Sequence, residues 1–254
     1  MNNIKEIAGR FLSAHSANER YEAPSAVAAL DMDEAYAVQR AFNALRGARD
    51  RIAGYKSAAN AEALQRALGL PGPITGMLFA SGERAVGSTV RRADYRTLLI
   101  ETELGFRAAR RITAPVKSIA ELRAATTTCT PMIELADPGF DRARMTGTDL
   151  IAANAASAGF IGGRAVSVGD IDVNEVRVHL RRDGETLHAA RSGDLMEDQW
   201  QALTWLVNRV VELGYVIEAG HLLMTGALGG AHPAAPGKYA ADFSALGVID
   251  FEVV

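Results

Sequence analysis

The sequence predicts an α+β protein with a β-rich body, on three observations. Helical periodicity is confined to five segments, three of them within the first 70 residues. Short apolar or alternating runs, bounded by Gly, Pro and Asp, fill most of the remainder. The strand and helix signals do not alternate in the regular βαβ manner of a doubly wound sheet. Composition agrees with a folded chain: 48% hydrophobic residues and a net charge of −3 over 254 residues are incompatible with disorder. A single cysteine excludes an intrachain disulfide scaffold. The slight acidic excess argues against a nucleic-acid partner bound by bulk charge.

Residues 1–15 place Ile4, Ile7, Ala8, Phe11 and Leu12 on one helical face. The segment 33–46 repeats the pattern with Ala35, Val38, Phe42 and Leu45, with Asp31 or Asp33 as N-cap. A short helix is expected from Asn60 to Leu68, ended by Gly69 and by Pro71-Gly72-Pro73. Leu98 to Ala108 alternates as a strand. Ser118-Ile119-Ala120-Glu121 is a capping-box signature opening a helix to about Thr126. Pro131 to Leu135 reads as a short apolar strand interrupted by Glu134. Glu175 to Ala189 reads as a hairpin turning at Asp183-Gly184. The clearest helix spans 197–213, with Trp200, Leu203, Leu206, Val207 and Val210 inward and Gly214 at its C′ position. Short strands follow at 221–225, 238–243 and 248–254. The expected organisation is one catalytic domain over 1–254: a helical segment over 1–50, then a β-rich metal-binding body over 51–254.

Several chemistries find no motif. There is no Gly-x-Gly-x-x-Gly, Walker loop or Gly-x-Ser-x-Gly elbow. The five histidines are scattered without metal-ligand spacing, and Cys129 reads as a small buried residue. No stretch approaches the roughly 20 apolar residues that span a bilayer, and no signal peptide is evident, so no membrane association and a cytoplasmic location are expected.

The informative residues are acidic. On a strand, Glu101 and Glu103 project to one face. Any strand with one wet face alternates polar residues, which is the plain reading. Two features oppose it: Leu99 and Gly105 share the glutamates' face, and Glu134 interrupts an apolar run. A lone carboxylate in apolar surroundings is costly unless paired or metal-bound. Three convergent carboxylates repel one another, and Mg²⁺ relieves that while leaving positions for substrate and water. Lys56, in Ile52-Ala53-Gly54-Tyr55-Lys56, is either a surface lysine whose stem covers apolar area or a proton-transfer group beside a metal-bound anion.

Further segments run in order along nearly the whole chain. They are Ala35-Tyr36-Ala37-Val38-Gln39, Gly54-Tyr55-Lys56 and Pro73-Ile74-Thr75-Gly76-Met77-Leu78-Phe79. Glu101-Thr102-Glu103 with Glu134, the stretch Asp149 to Ala155, and Thr225-Gly226-Ala227-Leu228-Gly229 complete the set. Together they resemble the hydratase/decarboxylase family of meta-cleavage pathways, within the fumarylacetoacetate hydrolase superfamily. The resemblance implies a mixed, rolled sheet with an α/β N-terminal part, and a homo-oligomer. It implies that Glu101, Glu103 and Glu134 hold Mg²⁺ or Mn²⁺, and that Lys56 is the catalytic residue. Leu78 (through its backbone), Asn154 and Thr225 are implied as substrate contacts. The implied partner is a small 2-oxo acid and the implied setting the catabolism of aromatic compounds. The reaction is water addition to a 2-hydroxydienoate or, alternatively, decarboxylation of a vinylogous 2-oxo diacid such as 2-oxo-3-hexenedioate. Ile74 stands where hydratases of the group often carry Asp, which favours decarboxylation; Thr225 to Gly229 looks like the hydratase version. A carbon–carbon hydrolase ranks lower, for want of a histidine in a recognisable motif. A non-enzymatic binding partner would have glutamates that do not converge.

Overall fold

The computed structural model describes residues 2–141 and 145–254. In chain order the N-terminal half contains α1 (Asn2–Ser16), α2 (Met32–Gly47), β1 (Ile52–Ala58), α3 (Glu62–Leu68), β2 (Ile74–Phe79), β3 (Glu83–Arg84), β4 (Thr89–Val90) and β5 (Leu99–Ala108). Next come α4 (Ile119–Ala124), β6 (Thr126–Ala136), α5 (Gly147–Ala152), β7 (Ser157–Gly162), β8 (Val166–Ser167), β9 (Arg177–Arg182) and β10 (Glu185–Arg191). The chain ends with α6 (Gln199–Glu212), β11 (Leu222–Met224), β12 (Leu228–Pro233), β13 (Gly237–Asp242) and β14 (Val248–Val253).

Two sheets organise these strands. The larger runs β2-β1-β11-β5-β6-β7-β3, with β12 also on β5 and β8 on β6. The smaller runs β10-β9-β13-β14-β4. The long antiparallel pair β5–β6 is the spine, and β1 joins it through a parallel contact with the short β11. One apolar core lies between the sheets and α6, around Leu104, Phe106, Ile133, Trp200 and Leu206. A second joins α1, α2 and α5 around Phe11, Phe42, Phe140 and Ile151. The α+β class is therefore as expected, with mixed strand directions.

Local chemistry explains the boundaries. Asp31, not Asp33, caps α2, in a full capping box with Glu34. The helix expected from residue 1 has that first position outside the described residues. α3 begins two residues later than expected and stops at Gly69, which adopts φ 67°. The Asp183-Gly184 turn has φ 51° and 87°, the positive pair that a two-residue hairpin requires. α6 starts at Gln199 rather than 197, because Met196 and Glu197 are left-handed (φ 50° and 64°) and Asp198 caps the helix by accepting from the Trp200 N–H.

Two expectations needed correction, at β6 and at β5, and one helix had no expectation attached to it. β6 begins at Thr126, not Pro131: the β-branched run Thr126–Thr128 continues the strand although it lacks an apolar pattern. Pro131 is tolerated inside it, and its carbonyl accepts from the Gly163 N–H. The segment after Thr146 folds as helix α5 through a second capping box, Thr146 with Asp149. β5 has no fully wet face: Ile100, Leu104 and Phe106 lie in the inter-sheet core, Leu99 joins the helical core, and only Glu101 and Arg107 are partly exposed. Among the described residues no helix is long and apolar enough to cross a membrane.

Candidate active site

The glutamates converge. In the β5–β6 register Glu101 stands directly opposite Glu134, and Glu103 is one pleat repeat away on the same face. Carboxylate oxygens of all three lie within 4.8 Å of one another. Glu103 and Glu134 are completely buried, and Glu101 is half-buried.

Lys56 reaches the cluster from β1. Its Nζ lies 3.0 Å from Glu134 Oε1 and donates to Oε2 at 3.1 Å. Lys56 is itself 1% exposed, so it is no surface lysine. Two glycines shape the cluster. A Cβ on Gly54 (φ 154°) would fall 1.8 Å from the Leu222 carbonyl oxygen, so only glycine lets β1 pair with β11 here. Gly226 (φ 114°) donates its N–H to Glu103 Oε2 at 2.9 Å, and a Cβ there would strike Asn60 Oδ1.

The electrostatics suit a cation. Three carboxyl groups face one ammonium, which when all are ionised is an excess of two negative charges in a buried space. Burial pushes the Glu103 carboxyl well above its ordinary range, neighbouring Glu134 pushes it further, and Lys56 only partly offsets both. For Lys56, burial favours the neutral amine, but Glu134, Glu101 and Glu103 together outweigh it and raise the pKa, so the ammonium persists. Glu103 Oε1, fully buried, accepts no hydrogen bond. Hard oxygen donors with unused lone pairs and a two-charge excess fit a divalent cation such as Mg²⁺ or Mn²⁺.

Residues 48–248 match the family model for the fumarylacetoacetate hydrolase C-terminal region. The chain belongs to the fumarylacetoacetate hydrolase family. Among curated proteins of this family it is 32% identical to the 2-keto-4-pentenoate hydratase of Paraburkholderia phymatum, over 98% of this chain and 96% of that one. It is 28% identical to the 4-oxalocrotonate decarboxylase of Pseudomonas sp. strain CF600, over 80% and 78%. Among solved structures, the 4-oxalocrotonate decarboxylase of Pseudomonas putida G7, complexed with magnesium and adipate, superposes with a TM-score of 0.93. That match covers 100% of this chain and 98% of that one at 22% identity, and it establishes the fumarylacetoacetate hydrolase fold.

The other implied site residues occupy different positions. Asn154, left-handed at φ 65°, uses its side-chain amide to accept from Met77 N–H and donate to the Met77 carbonyl (2.7 and 2.9 Å), clasping β2 to the end of α5. Thr225 is buried, with its hydroxyl donating to Gln199 Oε1 (2.8 Å), and so sets the loop that brings Gly226 to Glu103. Leu78 packs in a small apolar cluster with Met132, Phe160 and Met224. None of the three lines the two cavities that meet at Glu101.

Those cavities share Glu101, Leu64 and Ala231. One, of about 290 Å³, has the polar groups Asn60, Arg191 and Asp194. The other, of about 90 Å³, has Lys56 and Glu101 as its charged groups and apolar walls that include Leu64, Leu68, Leu99, Met145 and Leu150. Sequence reasoning missed the histidines: His188 on β10 and His232 on β12 lie side by side, with ring nitrogens 2.7 Å apart, beside Thr102. Residues 44 positions apart carry no local signal of that meeting.

Proposed function

We propose that this chain is a divalent-metal-dependent lyase acting on small 2-oxo acids, a hydratase that adds water to a 2-hydroxydienoate to give a 4-hydroxy-2-oxo acid. The observation that carries the reading is the convergence of Glu101, Glu103 and Glu134 within 4.8 Å, with Lys56 held against Glu134 in a buried space. Glu101, Glu103 and Glu134 would hold Mg²⁺ or Mn²⁺. A bound cation there supplies Lewis acidity and a template for the substrate's carboxylate and 2-oxygen.

The protein's own groups do the rest. Lys56 keeps its proton at Nζ, because Glu134 and its neighbours stabilise the ammonium, and it delivers that proton to the carbon skeleton or anchors the substrate carboxylate. Gly226 N–H holds Glu103 in its ligating orientation. The apolar walls of the smaller cavity receive the substrate's hydrocarbon tail and exclude bulk water there.

Two facts favour hydration: the apolar lining suits an alkenyl tail, and the hydratase relative covers almost the entire chain. One residue favours the second reading, decarboxylation of 2-oxo-3-hexenedioate: Ile74, fully buried on β2, in place of an acidic side chain. The relatives support a role in aromatic catabolism, and the family resemblance supports a cytoplasmic homo-oligomer with residues 1–254 as one catalytic unit.

The test is calorimetry on chelator-stripped protein, titrated with Mg²⁺ or Mn²⁺ and then oxalate, a planar mimic of the 2-oxo acid enolate. Oxalate binding only in the presence of metal is expected. A folded protein that binds neither would reduce the glutamates to a buried cluster and overturn the proposal. Product analysis separates the two reactions: water added to a dienol monoacid, or carbon dioxide released from the diacid.

A further inference from the structure

The strand that roofs the candidate site is poorly anchored by its own side chains. In the β12–β5 register Leu228 pairs with Thr102 and His232 with Ile100. Four steps on β12 therefore face two on β5, and Gly229, Gly230 and Ala231 bulge out opposite Glu101. These three residues line the polar cavity, and Ala231 also lines the apolar one. Gly229 and Gly230 have φ 78° and 93°, and glycine imposes the least backbone restraint of any residue. Something else must hold the bulge.

His188 touches it from beneath: a Cβ on Gly229 would lie 2.3 Å from His188 Cδ2. The hydrogen-bond directions are determined by Thr102. Its single hydroxyl proton goes to the Leu228 carbonyl (2.8 Å), so Thr102 Oγ1 accepts from His188 Nε2–H (3.0 Å). His188 Nδ1 is then the unprotonated nitrogen of a neutral ring and accepts from His232 Nε2–H (2.7 Å). One imidazole thus ties both ends of the bulge, Leu228 through Thr102 and His232 directly.

We propose that His188 is a positioning residue that pins the Gly229–Ala231 bulge over the site, and that a proton on its Nδ1 releases the bulge. Protonation sets a second donor against His232 Nε2–H, so the contact survives only if His232 shifts its proton to Nδ1, and it adds a charge that no carboxylate faces. The titratable groups facing His188 are His232 on β12 and His179 on β9; β5 presents the Thr102 hydroxyl, while Glu101 and Glu103 alternate to the other face. Burial first, then His232 and His179, lower the His188 pKa from its ordinary 6.5 to about 4. The closed bulge consequently binds fewer protons than an open one below pH 6.5, and its stability declines as the pH falls from there towards 4.

The metal-free full chain suffices for the first measurement: hydrogen-exchange protection of residues 226–233, corrected for intrinsic rates. Protection is expected to fall by up to about tenfold per pH unit below 6.5. His188→Gln, which keeps a donor for Thr102 and an acceptor for His232 without titrating, should stay protected at both pH 7.5 and pH 5. His188→Leu should be unprotected at both. Flat protection in the wild type, or a glutamine variant that behaves like the leucine variant, would overturn the pin. The consequence for binding rests on the functional reading above: with Mg²⁺ present, His188→Leu should weaken oxalate binding at least about tenfold while leaving Mg²⁺ affinity alone. Wild-type protein that shows the exchange effect but binds no oxalate sinks the functional reading and spares the pin; oxalate binding with pH-independent exchange does the reverse.

Discussion

At Lys56 and Glu134 two opposite charges share a space that excludes water, so each is costly without the other. Lys56→Met leaves Glu134 buried beside two further carboxylates. The metal-free variant should lose about 3–5 kcal/mol of stability, read by urea unfolding. If Lys56 handles the proton, Mg²⁺-dependent oxalate binding survives in this variant while turnover falls about 10²–10⁴-fold. Wild-type turnover would remove Lys56 from the chemistry. Glu103→Gln separates ligation from packing. The amide nearly matches the carboxylate in shape and can still accept from the Gly226 N–H, so the fold should persist. Removing one of three charges should abolish metal-dependent oxalate binding in calorimetry, and its retention would dissociate Glu103 from the metal.

The elements show what can be read locally and what cannot. The capping box of α2, the turn at Asp183-Gly184 and the left-handed Gly69 follow from residues a few positions apart, and the sequence displays them. The three glutamates were legible for a different reason: a carboxylate within an apolar run has to be paired with something. Their partner across the register was not, since β5 opposite β6 is a non-local fact. The N-terminal part of β6 escaped notice because threonines carry β propensity without an apolar stripe, and Lys56 looked ambiguous because its burial depends on β11 and on strands nearly 80 residues away. The loop after β11 tests how far an element's backbone governs the site. Gly226→Ala forces a side chain into left-handed space and against Asn60. It should weaken Mg²⁺ binding by about 10–100-fold, the usual range for groups that orient a ligand. Circular dichroism should change little, and unaltered affinity would mean that the Gly226 N–H does not orient Glu103.

For the whole molecule, the candidate site links stability to both metal and pH. In the metal-free protein Glu103 keeps its proton at pH values where the unfolded chain has lost it, because burial and Glu134 raise its pKa. The folded state then binds more protons, so stability falls as pH rises above the ordinary carboxylate value, until the raised pKa of Glu103 is passed. Lys56, raised above its ordinary 10.5, contributes a constant amount through neutrality and loses it only in strong alkali. His15 and His188, both lowered to about 4, act oppositely but only below pH 6.5. Above pH 6.5, and until the raised pKa of Glu103 is passed, the slope therefore belongs to that carboxyl. Under the proposed function a cation at the glutamates would take the place of that proton, and its affinity would grow with pH because bound ligands must be deprotonated. Saturation at about 100 times the Kd adds about 2.7 kcal/mol, which for a chain of this size raises Tm by about 5–10 °C. Melting curves with and without Mg²⁺ should thus diverge over the window that opens at the ordinary carboxylate value and closes at the raised pKa of Glu103, and Glu103→Gln should flatten the metal-free curve and close the gap. A constant gap across that window would mean that metal and proton do not compete for the same carboxylates.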